Sequence, residues 1–175
     1  MRRVLIAAAV AGGLLLTSTA SAGPPQRDRF AVEGQFDVDP ISQTCGFPVS
    51  VAIEGTFSIL VFRDNDGAVT HEIDTQPGTM LTYSTEAGSI SFPFSGVLHA
   101  SYPDGAVVGA PAILKVTGNS GPFAELVPLG SGRVVLAGTV AEVADGIPFT
   151  SFTSLISASG NFTGQADRIC AALAA

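Results

Sequence analysis

The sequence has no tryptophan, only two cysteines and only two histidines, and charged residues make up 13% of its 175 positions. Each shortage excludes something. Two cysteines 125 positions apart, Cys45 and Cys170, cannot form a Cys-x-x-Cys redox or metal motif. Basic residues are scarcer than acidic ones, eight against fifteen, for a formal net charge of −7. With no basic stripe to neutralise phosphates, nucleic acid is excluded as a partner, and so is an anionic membrane surface. No phosphate-cradling glycine loop opens a helix, so no cofactor is expected. The same poverty of ligands leaves no expected metal site.

What is present first is an export signal. Arg2 and Arg3 precede an uncharged apolar run from Val4 to Leu16, and Thr17 to Ala22 ends in an Ala-x-Ala site. That layout predicts a signal peptide over residues 1–22, cleaved between Ala22 and Gly23. The run is shorter than the roughly 20 apolar residues a spanning helix needs, and nothing later is longer. The mature protein is therefore expected to be secreted, with no membrane insertion after cleavage. An extracellular setting also favours pairing Cys45 with Cys170 as a structural disulfide. The bases that remain are Arg27, Arg29, Arg63, Lys115, Arg133 and Arg168, and the acids are scattered as on a solvated face.

About 150 residues suit one domain with a real core. Residues 23–29, with Pro24 and Pro25, read as a flexible leader, and residues 30–175 as the β-domain. Short alternating runs separated by Gly, Pro, Asn and Asp turns dominate the chain. Strands are predicted at Phe30–Val38, Pro48–Glu54, Thr56–Arg63, Ala68–Asp74, Met80–Thr85, Ile90–Tyr102, Ala112–Thr117, Arg133–Val143 and Leu155–Phe162. Pro93 and Gly96 inside one run point to an edge or a bulge. Asp167–Leu173 reads as a helical turn docked through Cys170. The class is all-β: a single antiparallel barrel or sandwich of about nine or ten short strands.

Cys45-Gly46-Phe47-Pro48-Val49, Pro77-Gly78-Thr79-Met80-Leu81-Thr82, Gly132-Arg133-Val134 and Ile169-Cys170-Ala171-Ala172-Leu173 occur in this order. On these fragments the chain resembles a family of small secreted actinobacterial proteins with an early Cys-Gly-Phe and a closing Cys-Ala-Ala-Leu. The resemblance implies export and a disulfide. It carries over no catalytic residue.

Candidate chemistry is thin. Asp64-Asn65-Asp66-Gly67 resembles the opening of a calcium loop, but Thr70 and His71 stand where further carboxylates would be needed, so it reads as a hairpin turn. Gly118-Asn119-Ser120-Gly121-Pro122 echoes a serine-nucleophile segment without a base or a third group, and reads as a loop. His71, between Val69 and Ile73, is expected to point with apolar residues, and His99 to face away from the aromatics. Lys115 and Arg133 are expected to point outward.

Three functions stay open. The first is a non-enzymatic extracellular binder of a small apolar ligand, a glycan or another protein, with Phe57, Phe92, Phe94 and Phe162 lining a cavity and His71 or His99 supplying a polar contact. The second is a small enzyme of cyclase or isomerase type using either histidine with a carboxylate such as Glu72. The third is a structural protein of the cell envelope. Oligomeric state is left open by the sequence.

Overall fold

Alternation and turn chemistry build one antiparallel sheet around an unusually long second strand. The computed structural model describes residues 24–37, 39–119, 123, 126, 127 and 129–174. The expected signal peptide and Ser120-Gly121-Pro122 lie outside them. Nine strands and two helices run in chain order: β1 (Gln26–Asp37), α1 (Asp39–Cys45), β2 (Ser50–Arg63), β3 (Val69–Thr75), β4 (Met80–Ser84), β5 (Ser89–Pro93), β6 (Gly96–Ser101), β7 (Pro111–Asn119), β8 (Ser131–Ala144), β9 (Ile147–Asn161) and α2 (Gln165–Leu173). The all-β class holds.

The sheet forks on β2. One edge of β2 carries β1, from Ser50 against Asp37 to Val61 against Gln26. The other edge carries β4 against Ser50–Glu54 and β3 against Ser58–Arg63. Between the two arms sits Thr79, 1% exposed, whose hydroxyl donates to the Thr56 carbonyl at 3.2 Å. Gly55 makes the fork possible. Its φ is +153°, and a Cβ there would lie 2.4 Å from the Thr79 Cα. We expect Gly55→Ala to lose about 2–4 kcal/mol, since it adds backbone strain to a clash with main chain that cannot swing aside. Urea denaturation checks this; an unchanged midpoint would mean that the arms splay freely.

Beyond β3 the sheet continues through β6, β7 and β8 to β9, and it curls. The Arg63 guanidinium holds the curl at one end. It donates to the Gly146 carbonyl in the β8–β9 turn at 2.9 Å and to Gln26 Oε1 at the start of β1 at 3.3 Å. The barrel alternative is corrected here: among the described residues no ladder joins β9 to β1, and the sheet is open. The β8–β9 ladder contains three register shifts, at Val135/Leu136, Ala137/Gly138 and Val140/Glu142, and such irregularities bend and twist a hairpin. Thr153–Asn161 accordingly remains exposed along its whole length.

Other elements differ from expectation for local reasons. Gln26–Arg29, read as leader, belongs to β1 because β2 is long enough to pair with it. The predicted pair Pro48–Glu54 and Thr56–Arg63 is one strand, bent at Gly55 rather than broken. The run Ile90–Tyr102 does divide, into β5 at the sheet's edge and β6 within it. A short α1 was not expected. Pro40 in its first turn and Gly46 after it (φ +75°, N–H donating to the Ser42 carbonyl at 2.9 Å) supply start and stop signals. Seven residues give too little periodicity to reveal the helix between them.

The odd-numbered residues of β2 fill the concave face. Val51, Ile53, Ile59 and Val61 join Leu81, Tyr83, Leu98, Leu114, Val134 and Leu136 in a continuous core. Ile41 of α1 and Ile169 and Leu173 of α2 belong to the same core. A disulfide links Cys45, the last residue of α1, to Cys170 within α2.

Candidate functional site

The concave face is not uniformly apolar. On β3, Glu72 and Asp74 alternate inward, and the register lays them beside Val61 and Ile59 of β2 on one side and Ala100 and Leu98 of β6 on the other. A polar pair on an inward face follows from a slip in the ladder. The β2–β3 pairing shifts between Phe62 and Arg63, so Val69 and His71 oppose adjacent β2 residues and cease to share a face. Val69 is 4% exposed, His71 is on the outside, and Glu72 is 6% exposed. The expectation that His71 points with the apolar residues is corrected by that single irregularity.

Glu72 and Asp74 lie in the lining of a cavity of about 180 Å³. Its walls come from β1 (Phe30, Val32), β2 (Phe57, Ile59), β6 (Leu98, Ala100), β7 (Leu114), β9 (Ile147, Pro148, Phe149, Thr150, Phe152) and Phe123. The curl of the sheet is what brings the first and last strands to one space. Two aromatic pairs flank it: Phe30 and Phe57 at 5.9 Å between centroids, and Phe123 and Phe152 edge-to-face at 6.5 Å. All four rings are only half-buried, so they mark where the cavity meets solvent.

The electrostatics follow from this setting. The Tyr102 hydroxyl donates to Glu72 Oε1 at 2.7 Å, while Glu72 Oε2 and Asp74 Oδ1 are buried without a hydrogen-bond partner. Burial pushes the Glu72 carboxyl up to about 7, against the opposing pull of the Tyr102 hydrogen bond. Asp74 rises to about 8, through burial first and the neighbouring Glu72 charge second. Burial, reinforced by the Glu72 charge, raises the Tyr102 phenol above its ordinary value. Two acids with raised pKa values beside a phenol can accept a donor-bearing head group, or can hold and release a proton near neutral pH.

Of the residues expected to bind a ligand, Phe57 lines this cavity. Phe92 instead packs edge-to-face on Tyr83 at 6.1 Å, Phe94 is buried in the core, and Phe162 is half-buried against it. His71 stacks on Phe62 on the outer face with centroids 4.1 Å apart. His99 is exposed on that face, as expected, and pairs in register with Ile73 and Lys115. Neither ring shares the face of Glu72. Lys115 and Arg133 are exposed. In the Asp64–Gly67 turn, Asp64 Oδ1 accepts from the Asp66 and Ala68 amides at 3.0 and 2.9 Å, which is a turn-closing role. Among the described residues no three His, Cys, Asp or Glu side chains converge as metal ligands.

Sequence reasoning missed Asp74 entirely and took Glu72 only as a possible companion to a histidine. The missing signal was the bulge. It also missed the first half of β9, although Asp145-Gly146 is a two-residue hairpin signal, with φ of +51° and +77°. No family model, curated protein or solved structure matches the chain.

Proposed function

We propose that the chain is an exported binding domain that takes a small molecule, apolar in body and polar at one end, into the cavity between β1 and β9. One observation carries this reading: an aromatic-walled cavity of about 180 Å³ in which buried carboxylate oxygens lack partners. Apolar cavities of roughly 150 Å³ admit a benzene-sized molecule, so the occupant is of single-ring size. The unpaired oxygens would fix its orientation, as a few polar groups do in predominantly apolar sites. Export is supported by the signal-like start of the sequence and by the Cys45–Cys170 disulfide. A cyclase or isomerase working through His71 or His99 has less support, because both rings lie on the convex face.

Native mass spectrometry of the protein recovered from the medium tests this reading. The expected result is a chain beginning at Gly23 with an adduct of single-ring mass that denaturation releases. Ala100→Leu should fill part of the cavity and weaken binding of benzyl alcohol about tenfold, with the thermal midpoint moving by only a few degrees. Unchanged binding in that variant would remove the cavity as the site.

A further inference from the structure

The polar end of the cavity has a definite sign. Glu72 and Asp74 stand two residues apart on one face of β3, close enough that the charge of one raises the other. Glu72 is more than nine-tenths buried, lines the site and carries an unpaired Oε2; Asp74, also in the lining, carries an unpaired Oδ1. No Lys, Arg or His lines the cavity among the described residues. The Arg63 guanidinium, outside the lining, is directed to the carbonyls of Gly67 and Gly146 and to Gln26.

From this geometry we infer that the cavity selects a small organic ammonium ion, its charged head between Glu72 Oε2 and Asp74 Oδ1 and its apolar body among the phenylalanines. The inference rests on the small-molecule reading above and specifies its ligand class. Two physical arguments support a cation over a neutral donor. A buried carboxylate without a counter-charge is costly, and a ligand that brings the missing charge recovers part of that cost. An ammonium has several N–H donors, enough to satisfy both orphan oxygens at once, whereas an alcohol has one. A hydrated metal ion fits less well, because two carboxylates in an apolar wall cannot replace its oxygen shell.

Binding should follow the ionisation of the pair. At acidic pH both carboxyls hold protons and the site is neutral; as pH rises through about 7 to 8 they release them and the ammonium gains its counter-charges. The other groups facing this space are few. From β2, β6 and β7 the neighbours are apolar, β9 gives Thr150, and Tyr102 is already donating to Glu72. On β1, Asp28 opposes Ile59 across the ladder and accepts from Gln26 at 2.8 Å. It is half-buried and adds negative potential of the same sign.

Calorimetric titration of the disulfide-intact protein with benzylamine, benzyl alcohol and toluene at pH 5 and pH 8 tests the inference. At pH 8 benzylamine should bind at least tenfold tighter than benzyl alcohol, and that advantage should disappear at pH 5. Asp74→Asn should remove at least tenfold of the amine affinity and a smaller part of the benzyl alcohol affinity, because an alcohol still finds the amide oxygen as an acceptor. If the alcohol binds as tightly as the amine at pH 8, or if Asp74→Asn weakens both equally, the cation inference falls and the cavity reading stands. If none of the three binds, both fall. Circular dichroism and the thermal midpoint of Asp74→Asn establish that any loss is not unfolding.

Discussion

Replacing Cys45 and Cys170 together by alanine is expected to lower the thermal midpoint by about 10–15 °C. The bridge closes a loop with a sequence separation of 125, and chain-entropy arguments assign roughly 4–5 kcal/mol to a loop of that length before losses from native-state strain. The structure explains why little else could compensate. The bond joins α1, seven residues long, to α2, nine residues long, and helices that short do not persist unaided. Ile41, Ile169 and Leu173 bury against the same core, so releasing the bond frees both helices from the sheet arm that carries β4 and β5. Differential scanning calorimetry of the double variant, and of the parent with and without reductant, measures the effect. A fall of less than about 3 °C would mean that packing of the helices alone holds the chain ends.

That bond was the most legible feature of the sequence, since two cysteines leave one possible pairing. The all-β class was equally legible, because period-2 alternation in β2, β7 and β8 survives inspection without knowledge of partners. What was not legible arises where the pairing departs from regularity. A forked sheet needs β2 to serve two partners on one edge, and the only local trace is Gly55, which read as a break between two strands. The faces of β3 depend on a register shift opposite Arg63, and one shifted residue exchanges the inside and the outside of everything that follows. Hence His71 was expected to point with the apolar residues, and the structure places it outside and Glu72 within. The aromatic residues suffered the opposite fault. Phe92, Phe94 and Phe162 share an apolar character with Phe57, but apolar character says that a ring is covered and not whether its cover is core or cavity wall. Phe30 and Phe152 line the cavity because the sheet curls, and curling is a property of the assembled ladder.

The Glu72–Asp74 pair should also reverse the usual dependence of stability on pH. In the unfolded chain these groups titrate near their ordinary values of 4.5 and 3.8; in the fold they titrate near 7 and 8. Between those limits the folded state holds protons that the unfolded state has released, so stability falls as pH rises. The loss begins near pH 4 and is nearly complete near pH 8. Urea midpoints should therefore be higher at pH 5 than at pH 8. Asp74→Asn keeps the shape and removes the charge, so it should change little at pH 5 and stabilise the protein by about 2–3 kcal/mol at pH 8. Equal destabilisation at both pH values, or a parent more stable at pH 8, would show that the pair is hydrated or otherwise compensated in solution. A chain that keeps two carboxylates on an inward face, where an amide would be more stable at neutral pH, sacrifices stability at that place. Such sacrifices are characteristic of residues that act on something beyond the fold. The pH series therefore bears on function as well as on folding: the stability missing at pH 8 is what a bound ammonium should restore.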